Sequence, residues 1–145
     1  MAVIQAMAVS FKSQLLEGAH DFRASGGDTF KIALYLSTAS LGPQTTAYTT
    51  TGEVSASGYT AGGATLTNVD PASSGLVGYT SFQTVTWTGA ITARGALIYN
   101  TTPAHTYTNP AVMILDFGMD RSSVSGVFTV SFPTADQTSA IIRVK

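Results

Sequence analysis

The chain has 145 residues, no cysteine, and 10% charged residues against 44% hydrophobic, with seven Lys/Arg against eight Asp/Glu for a net charge of −1. A chain of this length fits one domain, which buries roughly 70% of its unfolded surface without disulfide or metal. The missing cysteines exclude disulfide scaffolds, Cys-ligated zinc, iron–sulfur clusters and thiol nucleophiles, and the balanced charge argues against nucleic-acid binding, which needs clustered Lys/Arg to neutralise phosphates.

Residues 1–7 read as an apolar lead-in, an arm. Val9, Phe11, Leu15 and Leu16 then fall at helical spacing among Lys12, Ser13, Gln14 and Glu17, which predicts one short helix over residues 8–17 with a narrow apolar stripe. Gly18 is placed to end it. Ser25-Gly26-Gly27-Asp28 is a break, so the chain divides into an arm and helix, 1–27, and a β domain, 28–145. Phe30, Ile32, Leu34 and Leu36 alternate with Lys31 and Tyr35, the clearest strand in the sequence. Residues 37–52 hold Gly42-Pro43 and many Thr and read as loop. A short strand is expected over 53–60, and Gly62-Gly63 interrupts the next one.

Thr80 to Thr88 is a strand in which Phe82 is out of phase with Val85 and Trp87, so a β-bulge is expected near Gln83-Thr84. Ile91 to Tyr99 is the next strand, broken by Thr101-Thr102-Pro103. Ala111 to Phe117 is a nearly continuous apolar run, as in a strand buried on both faces. Ser125-Gly126 leads into an alternating strand, Val127 to Phe132, and Ala140 to Val144 closes the chain. Short strands separated by Gly/Pro/Ser/Thr turns predict an all-β fold: an antiparallel sandwich or jelly roll with a short N-terminal helix or arm.

The charged fraction is far below the ordinary ~25%. Thr and Ser replace the missing charges at 37 positions, 22 of them Thr. Thr suits a pleated surface. The mean hydropathy of +0.22 and the aromatic content are not those of a disordered chain. No run of 18 apolar residues marks a membrane helix. The start lacks a basic region followed by an apolar core, so it reads as a mature N-terminus made in a cytoplasm.

Motifs that carry chemistry are thin. Asp116-Phe117-Gly118 matches a kinase triplet, but 145 residues cannot hold the other kinase motifs, and a turn begun by Asp116 is expected. Asp116 and Asp120, with Asp21 and Asp28, lack the oxygen-dense loop of a calcium site. His20 and His105 are too few for a catalytic zinc centre. The G-x-S-x-G elbow is absent. Gly58-Tyr59-Thr60-Ala61-Gly62-Gly63 lacks the Lys-Ser/Thr of a phosphate loop. Asn100-Thr101-Thr102 is a formal glycosylation sequon. Trp87, Tyr99, Phe117, Phe128 and Phe132 read as core or interface, while Tyr35, Tyr48, Tyr59, Tyr79 and Tyr107 read as loop or polar-face residues. No catalytic residue, metal or cofactor is expected, and the protein reads as a non-enzyme.

Five groups of segments together resemble a family of small virion proteins of tailed bacteriophages. They are Phe11-Lys12-Ser13-Gln14-Leu15-Leu16-Glu17-Gly18-Ala19-His20-Asp21-Phe22 with Asp28-Thr29-Phe30-Lys31-Ile32-Ala33-Leu34-Tyr35, Gly52-Glu53-Val54 through Gly63, Ala93-Arg94-Gly95-Ala96-Leu97-Ile98-Tyr99-Asn100, Ala111-Val112-Met113-Ile114-Leu115-Asp116-Phe117-Gly118, and Phe132-Pro133-Thr134-Ala135-Asp136. The resemblance spans nearly the whole chain and implies a structural role in the particle, with no catalytic residues to carry over. The expectation is a capsid cement (decoration) protein, located in the virion, that binds the major capsid protein lattice. It would form a homo-oligomer, a trimer at local threefold positions, and bind neither nucleic acid nor membrane. The arm would anchor on a neighbour through Ile4, Met7, Phe11 and Leu15. A tail, adaptor or fibre component and a carbohydrate-binding surface module, using Trp87 or loop tyrosines, are the alternatives.

Overall fold

The computed structural model describes residues 2–145, Ser125 by its backbone alone. Nine elements follow in chain order: β1 (Ala6–Met7), α1 (Val9–Leu16), β2 (Phe30–Tyr35), β3 (Ala64–Thr65), β4 (Asn68–Ser74), β5 (Val77–Phe82), β6 (Val85–Asn100), β7 (Ala111–Val130) and β8 (Ile142–Val144). The expected all-β, sandwich-like architecture with one short helix is what forms. A five-stranded sheet runs β1-β7-β6-β2-β3 and a three-stranded sheet runs β4-β5-β8. Every pairing between these strands is antiparallel.

The core follows from the apolar patterning. Phe30, Ile32, Ala33, Leu34 and Tyr35 of β2 are all buried, as are Ala96 to Asn100 of β6 and Ala111 to Leu115 of β7. Strands covered on both faces lose the alternation of a half-buried strand. For this reason Tyr35, read as a polar-face residue, is fully buried and donates its hydroxyl to the Thr49 carbonyl at 2.5 Å. Phe22, Phe30, Phe82 and Phe132 form a run of rings, with Phe22 and Phe30 stacked at 4.4 Å, Phe30 and Phe82 at 5.6 Å, and Phe82 and Phe132 at 5.6 Å.

Several expected elements are corrected. At Gln83-Thr84 no bulge forms within one strand. The chain leaves β5 in the smaller sheet and enters β6 in the larger one, so Phe82 and Val85 belong to different sheets. No strand forms over residues 53–60. Glu53 makes one isolated bridge to Tyr35, and Val54 N–H donates to the Leu34 carbonyl at 2.9 Å. β4 was not expected, and it contains Asp70-Pro71. It is an exposed edge strand whose pairing with β5 shifts register between Val69 and Ala72, where edge prolines are tolerated. The strands read as ending near Phe117 and restarting at Val127 are one element, β7, of 20 residues.

The N-terminal segment lies on the body. Ala6 and Met7 pair with Ile114 and Met113, Ala8 N–H donates to Val112 O at 3.0 Å, and Val9 N–H donates to Pro43 O at 2.8 Å. The loop between β6 and β7 folds over the end of α1. Ala104 N–H reaches Ala19 O at 3.0 Å, and His105 Nε2 lies 3.0 Å from Glu17 O, which makes Nε2 the donor.

Candidate functional site

The long hairpin arm of β6 and β7 is where the fold leaves surface uncommitted. β2 pairs with β6 only over Gly95–Asn100, and β1 pairs with β7 only at Met113 and Ile114. Beyond these points β6 and β7 continue as a two-stranded ribbon, Val85–Ala93 against Arg121–Val130. Its inner face is core, with Trp87, Ile91, Phe128 and Val130 buried. Its outer face carries Thr86, Thr88 and Thr92, with Thr92 and Ser122 hydroxyls 2.8 Å apart.

β7 accommodates extra residues in two bulges along this ribbon. Ala93 and Gly95 face Arg121 and Asp116, so Phe117 to Asp120 loop out of the ladder. The Asp116 carboxylate accepts from Gly118 N–H and Arg94 Nε, each at 2.9 Å, and Gly118 takes φ +81°, a left-handed value open to glycine. The Arg94 guanidinium holds the Asp116 carboxyl below its ordinary range, with help from the Gly118 amide. Asp116-Phe117-Gly118 is thus a bulge device. A second register shift lies between Gly89 and Ile91.

The result is a strand edge that no element covers, among the described residues, from Phe117 to Val130. Met119, Val124 and Val127 stand 55%, 84% and 54% exposed along it. A groove of about 370 Å³ follows the edge, lined by Phe117, Arg121, Ser122, Val127, Phe128 and Thr129. Unpaired N–H and C=O groups beside apolar side chains make a template for pairing with another chain, which bulges and charges such as Asp120 and Arg121 restrain.

The arm residues are dispersed by the fold. Ile4 is 55% exposed and Met7 is half-buried, paired in the sheet opposite Met113. Phe11 is fully buried, 4.9 Å from the His20 ring and edge-on to Phe22 at 5.9 Å. Leu15 packs half-buried on the core. The four share no outward face: Phe11 is already spent on the chain's own aromatic cluster.

The other chemistry-bearing residues are structural. Glu53 accepts hydrogen bonds from Tyr48 Oη at 2.6 Å, Tyr59 Oη at 2.7 Å and Gly62 N–H at 2.7 Å. Tyr59 Oη accepts from Leu34 N–H at 2.9 Å, and Tyr99 Oη donates to Gly62 O at 2.6 Å. Burial, and then Glu53 (by its charge on Tyr35 and Tyr99, by its hydrogen bond on Tyr48 and Tyr59), push Tyr99 up to about 12 and the other three higher still. This hub fastens the strandless stretch between β2 and β3, and the Gly58–Gly63 segment serves it. At Gly63, φ +80°, a Cβ would collide with the Ile32 carbonyl. Sequence reasoning missed the hub because nothing local links Tyr48, Glu53, Tyr59 and Tyr99.

His20 is buried against Gln14 and Asn100. Asn100 is fully buried, so the sequon offers no reachable amide. Trp87 is buried between Tyr59 and Phe128, at 6.1 Å and 6.2 Å, and is no exposed platform for a sugar. Among the described residues no group of three or more His, Cys, Asp or Glu is placed to hold a metal ion, and no helix is long and apolar enough to cross a membrane. No family model, curated protein or solved structure matches this chain.

Proposed function

We propose that this chain is a structural protein of a bacteriophage virion, a capsid cement protein that binds the major capsid protein lattice and stabilises the head. The observation that carries the reading is the open β7 edge with exposed Met119, Val124 and Val127 in a chain of 10% charge. Such a surface suits close contact with a partner lattice better than free exposure to water. The resemblance of its segments to small phage virion proteins supports the same reading. Function is then area buried across neighbouring subunits, with the β7 edge and Ile4 as contact points and a homo-oligomer, a trimer, as the bound form.

The test is co-sedimentation of the protein with phage heads, with its copy number counted in purified particles. Copy numbers in the hundreds are expected, and Val127→Asp is expected to lower occupancy without lowering the melting temperature, because the side chain is exposed. A single ring's worth of copies would move the protein to the tail or its adaptor. No particle association at all would end the reading. Truncating residues 1–22 is a poor probe, because it removes Phe11 from the core, whereas Ile4→Asp tests the arm cleanly.

A further inference from the structure

We infer that His20 is an acid-sensitive latch that holds the N-terminal segment, residues 2–22, against the larger sheet. The hydrogen-bond geometry fixes the ring's state. Asn100 is the last residue of β6, and its Oδ1 accepts from Thr102 N–H at 2.9 Å. Its Nδ2 therefore faces both the Asp28 Oδ2, at 2.8 Å, and His20 Nδ1, at 3.0 Å. An amide NH2 only donates, so Nδ1 must be bare. The proton of the neutral ring then sits on Nε2, which donates to Gln14 Oε1 of α1 at 2.9 Å. One neutral imidazole joins the helix to the end of the central strand.

Protonation has no good arrangement here. A proton on Nδ1 would oppose the Asn100 Nδ2–H. Turning that amide would aim Oδ1 at the Asp28 carboxylate and strip Thr102 N–H of its acceptor. Around the ring, α1 supplies Gln14 and Phe11, and β2 supplies Phe30, with its ring centroid 6.4 Å away. β6 supplies Asn100, and β5 supplies Tyr79 to the adjoining groove. Asp21 is the neighbouring carboxylate, but it is turned to Arg23. Asp28 is the charge that favours the imidazolium, and its Oδ2 already accepts from Asp21 N–H at 2.9 Å and from Asn100. Burial outweighs it and pushes His20 down to about 4.

The segment is tied elsewhere by the two-residue pairing of β1 with β7, by the amides of Ala8 and Val9, and by the backbone bonds of Ala2 and Ile4 with Leu41. Gln5 Oε1 accepts from Asp116 N–H, Ala104, His105 and Tyr107 bond to Ala19 and Glu17, and Phe11 is buried, so His20 acts on top of these contacts. Releasing the segment would uncover β7 from Val112 to Asp116 and join that stretch to the edge already open beyond it. This latch does not depend on the virion reading.

A group whose folded pKa lies below its free value of 6.5 stabilises the docked form fully above that value. The contribution is lost as pH falls toward 4, because the released form binds the proton more readily. The shift sets a ceiling of roughly 300-fold on the change in opening equilibrium.

Native-state hydrogen exchange on the full chain, from pH 7.5 to pH 4, tests this. The α1 amides are expected to open more readily than those of Ala96 to Ile98. Their opening equilibrium should rise by up to roughly 150-fold by pH 4, about half the ceiling because the docked ring is then half-protonated, and His20→Asn should flatten that rise. One shared opening equilibrium for α1 and β6 at every pH, or the same acid response in the variant, would overturn the latch. Ring NMR of the unaltered protein gives a second test that does not need the variant to fold. A neutral Nε2–H ring at pH 6 is expected, and a charged ring at that pH would refute the proposal.

Discussion

Removing the Glu53 carboxylate should be among the most damaging single changes outside the apolar core. Three donors converge on it at 2.6–2.7 Å, the lengths of strong charge-assisted bonds. Each such bond contributes a net of about 1.5–3 kcal/mol. Tyr48 and Tyr59 both pack half-buried on the core, beside Tyr99 and Trp87, and both can be partly resolvated once the carboxylate is gone. The expected cost of Glu53→Ala is therefore about 3–5 kcal/mol, below the simple sum of three bonds. Glu53→Gln keeps an oxygen for Tyr59 and Gly62, loses the charge and puts an amide donor where Tyr48 had its acceptor, at a cost of about 1–2 kcal/mol. The assay is urea unfolding followed by the fluorescence of Trp87, the one tryptophan, with both variants on one baseline. A cost below about 1 kcal/mol for Glu53→Ala, or equal costs for the two variants, would refute the hub as the fastening of residues 48–62.

Two further outcomes are expected. Phe11→Ala empties a fully buried site between His20 and Phe22 and should cost about 3–5 kcal/mol, read as a lowered midpoint in the same denaturant assay. A loss under about 1 kcal/mol would mean that α1 contributes little to the core. Alkaline titration followed by tyrosinate absorbance should show Tyr35, Tyr48, Tyr59 and Tyr99 silent at pH 10–11, because burial raises all four. The folded state keeps protons that the unfolded chain releases near pH 10, so stability should fall as pH rises above that value. Full ionisation of all six tyrosines near pH 10 with the fold intact would contradict the buried hub.

The legible part of this protein was its local chemistry. Alternation in Phe30–Tyr35, the apolar run from Ala111, the helical stripe at Phe11 and Leu15, and the Thr-for-charge substitution carried the all-β class and the short helix. Local pattern also exposed the phase change after Phe82, but its meaning was out of reach: one extra residue in a strand and a crossing between sheets give the same shift in a list of side chains. Gly118 and Ser125-Gly126 read as strand ends, yet β7 runs through them, because β6 supplies a partner on the far side that tolerates bulges.

Whatever depended on distant partners was decided only by tertiary structure. Glu53 became a hub because β2 and the loop after it bring two hydroxyls and one amide to one carboxylate. His20 became a structural base because Asn100, 80 residues away, presents only donors to it. Phe11, expected on an arm, went inside because α1 docks beside β7 and finds Phe22 there. The sequence by itself determined that this would be a weakly charged, Thr-rich β protein with no equipment for catalysis by thiol or metal–thiolate. The open edge of β7 and the closure of its polar clusters were settled by pairing across the fold, since hydrogen-bond partners far apart in a chain leave no periodic trace in it.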